Sequence, residues 1–184
     1  MGLDMYLTAK KYIGGGNWER EEEKKLNNKI RDIFPEMFKT DNLNYIEVTF
    51  ETGYWRKANA IHQWFVDNVQ DGNDNCDSYY VSREQLELLK DKCEQVLSVA
   101  KTGNGKITVS EKLTKDGWEK VLEDGIVVTN PEDVNEILPP QSGFFFGSTD
   151  INEYYLNDMK ETIDIIDRCL KLPKDWNIYY HSSW

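Results

Sequence analysis

Leu3, Met5 and Leu7 alternate with Asp4, Tyr6 and Thr8. Successive side chains of a strand point to opposite faces, so this period of two predicts a half-buried strand. Gly14–Gly16 ends it as a flexible turn. From Glu19 to Phe34 the chain is charged, with Leu26, Ile30 and Ile33/Phe34 at helical spacing, and Pro35 closes the helix. Tyr45, Glu47, Thr49 and Glu51 alternate with Ile46, Val48 and Phe50, a second strand that Gly53 interrupts. Tyr54–Val69 then predicts a helix. On its wheel Tyr54, Ala58, Ile61 and Phe65 form a core face, and Trp55, Asn59, His62 and Val66 form the stripe beside it.

Asp71–Asp77 reads as a loop and Tyr79–Val81 as a short extended segment. Ser82 and Gln85 form a capping box ahead of a helix carrying Leu86, Leu89, Cys93, Val96, Leu97 and Ala100 on one face. Between residues 103 and 130 the turn signals TGNG, KDG and EDG separate the short runs ITV and IVV. This predicts a peripheral insertion of hairpins. Pro131–Leu138 predicts a short helix, stopped by Pro139–Pro140. SGFFFGSTD reads as a glycine-bracketed aromatic strand in which Phe145 points away from Phe144 and Phe146. Thr149 or Asp150 caps a helix over Ile151–Leu172, with Tyr155, Met159, Ile163, Ile166 and Leu170 inward, and Pro173 ends it. Ile178–His181 reads as a final strand. Strands and helices mix without βαβ alternation or internal repeat. The expected class is α+β: a single domain over 1–184, with a mixed or antiparallel sheet against three or four helices.

Length and composition agree with one domain. At 184 residues, 39% apolar and 12% aromatic, the chain can fill a real core. The formal charge of −11, from 33 acidic and 22 basic residues, changes the list of partners. An acidic surface repels phosphate backbones and anionic bilayers, so direct nucleic-acid and membrane binding are not expected. It leaves simple solubility, or a basic protein partner. Cys76, Cys93 and Cys169 form no CxxC pair and no even set, which points to a reducing compartment without disulfides. MGLDMYLTAKK lacks the pattern of a signal peptide.

The chemistry concentrates in YWRKANAIHQWF, residues 54–65. Asn59 and His62 sit beside an indole at the margin of the expected core face, where a polar group must find a partner. They are either satisfied structural groups or the wall of a pocket. Asp4 is the acidic residue of the first strand and could pair with Arg56, Lys57 or His62 across the sheet. With only two histidines, His62 and His181, there is no zinc spacing, and no nucleophile elbow is present. Asp71–Asp77 begins like a calcium loop, but Cys76 replaces the required glycine and Ser82 the bidentate Glu, so an Asx-turn loop is the better account. Gly14–Gly16 lacks both phosphate-loop signatures.

MGLDMYL, GYWRKANAIHQWFVDNVQDGNDNC, YYVSREQL, SGFFFGSTDINEYY and YYHSSW together resemble a family of small uncharacterised proteins encoded by bacteriophages and prophages. The resemblance implies action in the host bacterial cytoplasm and, as for many small phage proteins outside the virion, counter-defence. It implies no mechanism. The residues themselves lead to a non-catalytic binder of a nucleotide-like or other small polar ligand. The candidate ligand-binding residues are Asp4, Trp55, Arg56, Asn59, His62, Phe145 and His181, with walls from Phe144–Phe146 and Tyr179–His181. No cofactor or metal is expected. Two alternatives stand beside this reading: an acidic, nucleic-acid-mimicking inhibitor of a host defence protein, and a small hydrolase using His62 and Asp4.

Overall fold

The computed structural model describes residues 2–14, 20–39, 46–115 and 117–184. The expected turn at Gly15–Gly16, the helix start at Glu19 and the strand start at Tyr45 lie outside these residues. The fold is α+β, as the patterning predicts, with two antiparallel sheets and five α-helices among the described residues. Strand β1 (Asp4–Ile13) runs through the larger sheet between β2 (Ile46–Arg56) and β6 (Asn177–Ser183), and β3 (Tyr79–Val81) adds to the far side of β6. The smaller sheet is the hairpin of β4 (Thr102–Thr114) and β5 (Gly117–Val128).

Along β1 every second residue is buried: Met5, Leu7, Ala9, Lys11 and Ile13. Lys11 occupies an apolar register position because its ammonium is met by Glu23 and Asp175. Glu23 belongs to helix α1 (Glu21–Ile33), whose Leu26 and Ile33 remain exposed, as does Phe34 that caps it. Helix α2 (Asn59–Asn68) is buried over most of its length, and Phe65 stacks on the inward Tyr180 of β6 at 3.9 Å. Helix α3 (Arg83–Val99) opens on the Ser82–Gln85 capping box and packs on α5 (Glu153–Leu170), with Lys90 bonded to Asp167 at 2.6 Å. Short helix α4 (Pro131–Asn135) inserts Val134 into the same core. None of the described helices is long and apolar enough to cross a membrane.

Four expectations are corrected. The helix predicted from Tyr54 begins at Asn59, because β2 continues through Gly53 to Arg56. Gly53 marks a bulge and a close approach rather than a break. The register shifts from Leu7↔Gly53 to Thr8↔Glu51, and a Cβ on Gly53 would lie 2.3 Å from Ile165 of α5. SGFFFG is a turn: Phe146 N–H donates to Gly143 O at 3.1 Å, and Phe144 stands 95% exposed. The cap of α5 is Asn152, accepting from Tyr154 N–H at 2.9 Å, instead of Thr149 or Asp150. Residues 103–130 form one long hairpin in place of several. Gly105 and Gly125 lie mid-strand, where a Cβ would press on Val127 or Ile107 respectively, and the last pair of the ladder is Thr114↔Gly117. The hairpin is a separate two-stranded sheet, as expected of an insertion, and Val128 at the end of β5 joins it to the main core.

Candidate functional site

A groove of about 840 Å³ opens where the end of β2, the 143–148 turn, β4 and α5 meet. Its size suits a small-molecule ligand. One wall is the corner between β2 and α2. Arg56 leaves the strand, and Lys57 turns the chain with φ of 60°. Lys57 N–H donates to Leu3 O at 2.8 Å, and its carbonyl accepts from Asn59 N–H at 2.8 Å. These two bonds hold a left-handed backbone that most residues avoid. The Lys57 side chain packs across Gly147, where a Cβ would come within 3.1 Å of it.

Asn59 builds the neighbouring wall. Its amide donates to Phe146 O at 3.1 Å and Ser148 O at 2.8 Å, and its side-chain oxygen accepts from Gln141 N–H at 3.1 Å. Buried and satisfied on both ends, Asn59 holds the aromatic turn in place. Phe145, whose carbonyl accepts from Leu3 N–H at 3.0 Å, lines the groove beside the exposed Phe144.

Helix α5 supplies the opposite wall through Tyr154, Asn157, Asp158 and Glu161. Residues three and four apart share a helix face, so all four point the same way. The Asp158 side chain is half-buried and makes no hydrogen bond or ion pair among the described residues. Burial, with a smaller push from the charge of Glu161, raises its carboxyl to about 7. Asp150 behaves oppositely. Burial opposes its ionisation, but Thr108 and Lys120 bond the carboxylate and hold it below its ordinary value. A second hollow, about 630 Å³ on the face of the hairpin, is lined by Asn104–Lys106 and Asp124–Ile126 alone. It gathers no groups from elsewhere in the fold, so the groove is the better candidate.

The sequence candidates therefore separate. Arg56, Asn59 and Phe145 meet at the groove. Trp55 does not: it points inward opposite Met5, is 2% exposed, and donates from Nε1 to Thr162 Oγ1 at 2.9 Å. The wheel that placed it beside Asn59 assumed a helix where the chain is a strand. His62 is fully buried behind the aromatic turn. In the Nε2–H tautomer it donates to Asp74 at 3.1 Å and accepts from Tyr180 OH at 2.7 Å. Trp184 Nε1 donates to the other Asp74 oxygen at 3.0 Å, closing a structural network.

Asp4 and His181 lie on the outer face of the large sheet. Asp4 accepts from Tyr54 OH and neighbours Arg56 at 3.9 Å. His181 stacks on Tyr6 at 4.7 Å. The sheet thus separates Asp4 from His62, and the acid that His62 meets is Asp74. A hydrolase built on Asp4 and His62 has no geometric basis. Tyr179 joins His181 on that outer face, so the C-terminal strand is not a wall of the groove.

Tyr154, Asp158 and Glu161 were not among the sequence candidates. A polar helix face reads the same whether it meets solvent or lines a groove, so periodicity carried no signal for them. No cluster of His, Cys, Asp and Glu among the described residues could hold a metal ion. The Asp71–Asp77 loop contains the expected Asx-turn, with Asp77 N–H donating to Asn75 Oδ1 at 3.1 Å. No family model matches the chain, and no curated protein or solved structure matches it. What the fold and the groove define is an α+β protein with a mixed-charge cleft between its two sheets.

Proposed function

We propose that the protein is a non-catalytic binder of a small, polar, nucleotide-like ligand held in the groove. The observation that carries this reading is the cationic corner at Arg56 and Lys57. Glycine adopts a φ of 60° without cost, whereas a lysine there forgoes about 1 kcal/mol of backbone stability. The chain nonetheless carries a lysine, beside an arginine, at the lip of a ligand-sized groove. Two cations so placed suit a phosphate or carboxylate, and the rings of Phe145 and Tyr154 offer apolar surface to a planar group. The resemblance to phage proteins adds a setting: sequestration of a host signalling nucleotide, in counter-defence, in the host cytoplasm.

The test is a thermal-shift screen of nucleotides with the wild type and Lys57→Gly, alongside mass spectrometry of any small molecule released from the purified protein. At least one nucleotide should raise the melting temperature of the wild type. Lys57→Gly should lose that response while its unliganded melting temperature stays equal or rises, because the substitution relaxes the corner. A screen without a responding nucleotide, and no released ligand, would refute the reading.

A further inference from the structure

We propose, resting on the groove as the ligand site, that the wall of α5 reads the base and that the ligand is a nucleotide whose base presents two adjacent N–H donors, as guanine does. The two walls of the groove differ in chemistry. The β2–α2 corner brings Arg56 and Lys57, which suit the anionic end of a ligand. The α5 wall brings Asp158 and Glu161, which accept hydrogen bonds and donate none when ionised.

Asp158 differs from the buried polar side chains packed behind the groove. Asn59 has three hydrogen bonds, Trp55 donates to Thr162, and Thr162 donates to the Asp158 carbonyl at 2.7 Å. The Asp158 carboxyl has no donor from the protein among the described residues. The groups around it do not supply one. Glu161 on α5 repels it, Cys93 of α3 is a buried thiol pushed up to about 12, and Tyr155 donates its hydroxyl to Leu138 O. Asp150 at the approach to α5 is engaged by Lys120, and Arg56 and Lys57 belong to the opposite wall. A planar edge with paired N–H groups fits a carboxylate in bidentate fashion. Guanine offers that pair through N1–H and the exocyclic amine. Adenine offers one donor beside a bare nitrogen, and uracil one donor between two carbonyls.

The inference fixes the direction of a proton. Guanine pairs with the carboxylate form, so binding expels the proton that burial favours. Adenine would instead pair with the protonated acid and would bind better as pH falls.

The experiment is isothermal titration of GMP, AMP and UMP into the wild type, Asp158→Asn and Lys57→Gly between pH 6 and 8.5. The ratio of GMP to UMP affinity cancels the titration of the phosphate itself. At pH 8.5 the wild type should prefer GMP to AMP and UMP by roughly tenfold or more, the discrimination expected of one bidentate edge. That preference should shrink as pH falls, approaching about tenfold per pH unit once the carboxyl is protonated. Asp158→Asn should lose the preference and its pH dependence, and should keep UMP binding. If the three nucleotides bind within twofold of one another, or if the preference runs to AMP at low pH, the base reading is wrong. In that case loss of binding in Lys57→Gly would still uphold the groove. Absence of binding by all three nucleotides overturns the inference, and a wider screen without a hit overturns the groove with it.

Discussion

Replacing Asp158 with Asn should stabilise the ligand-free protein, and only at neutral and alkaline pH. The carboxyl is raised from an ordinary 3.8 to about 7, chiefly by burial and secondarily by Glu161. Between those values the folded state binds more protons than the unfolded chain. Stability therefore falls as pH rises from about 4 to about 7 and is flat above. The full displacement corresponds to a ceiling of about 4 kcal/mol. Water in the open groove screens the half-buried group, so about 2 kcal/mol is the working figure. Asparagine has the same shape, carries no charge and avoids the penalty. Urea unfolding of both proteins at constant ionic strength, at pH 8 and pH 4, measures the difference. The variant should gain about 2 kcal/mol at pH 8 and little at pH 4. An equal or lower stability at pH 8, or a gain independent of pH, would refute the account of an uncompensated carboxyl.

Other predictions concern how the fold is held together. Glu23 is held at about 2, chiefly by the hydrogen bond from Lys11, so its contribution is complete above pH 4.5 and vanishes as pH falls towards 2. Glu23→Gln should cost about 1–2 kcal/mol at pH 7 by urea unfolding, with Asp175 still covering Lys11, and nothing near pH 2. His62→Ala removes the acceptor of the Tyr180 hydroxyl and leaves a cavity beside Phe146. A loss of about 2–4 kcal/mol is expected in chemical denaturation, and a neutral result would show that the Asp74–His62–Tyr180 network is not structural. Gly53→Ala drives a methyl against Ile165 and should destabilise by about 1–3 kcal/mol. An unchanged denaturation midpoint would mean that α5 does not seat on β2 as described.

Much of the fold was legible because burial imposes periodicity. The alternation of Leu3, Met5 and Leu7, the Ser82–Gln85 box and the inward faces of the helices at 83–99 and 153–170 each name their element from local spacing alone. Legibility ended where a residue type has two uses. In the sequence Gly53 reads as punctuation, but glycine also marks where a helix presses on a strand, and that needs the partner Ile165 to be known. Placing the helix five residues early then rotated Trp55 onto the wrong face. The same ambiguity turned the SGFFFG turn into a strand and the mid-strand glycines of the hairpin into turns.

The candidate site divides along the same line. The chain order itself puts Arg56, Lys57 and Asn59 within four residues, so their proximity followed from the sequence, as did the class of fold. Only the tertiary structure decided which side of the sheet each group serves. It sent His62 to Asp74, left Asp4 and His181 on the outer face, and brought Asp158 from about a hundred residues away to the wall facing Lys57. Periodicity records how much of a residue is buried. It carries no record of what lies opposite, because that depends on contacts between segments far apart in the chain.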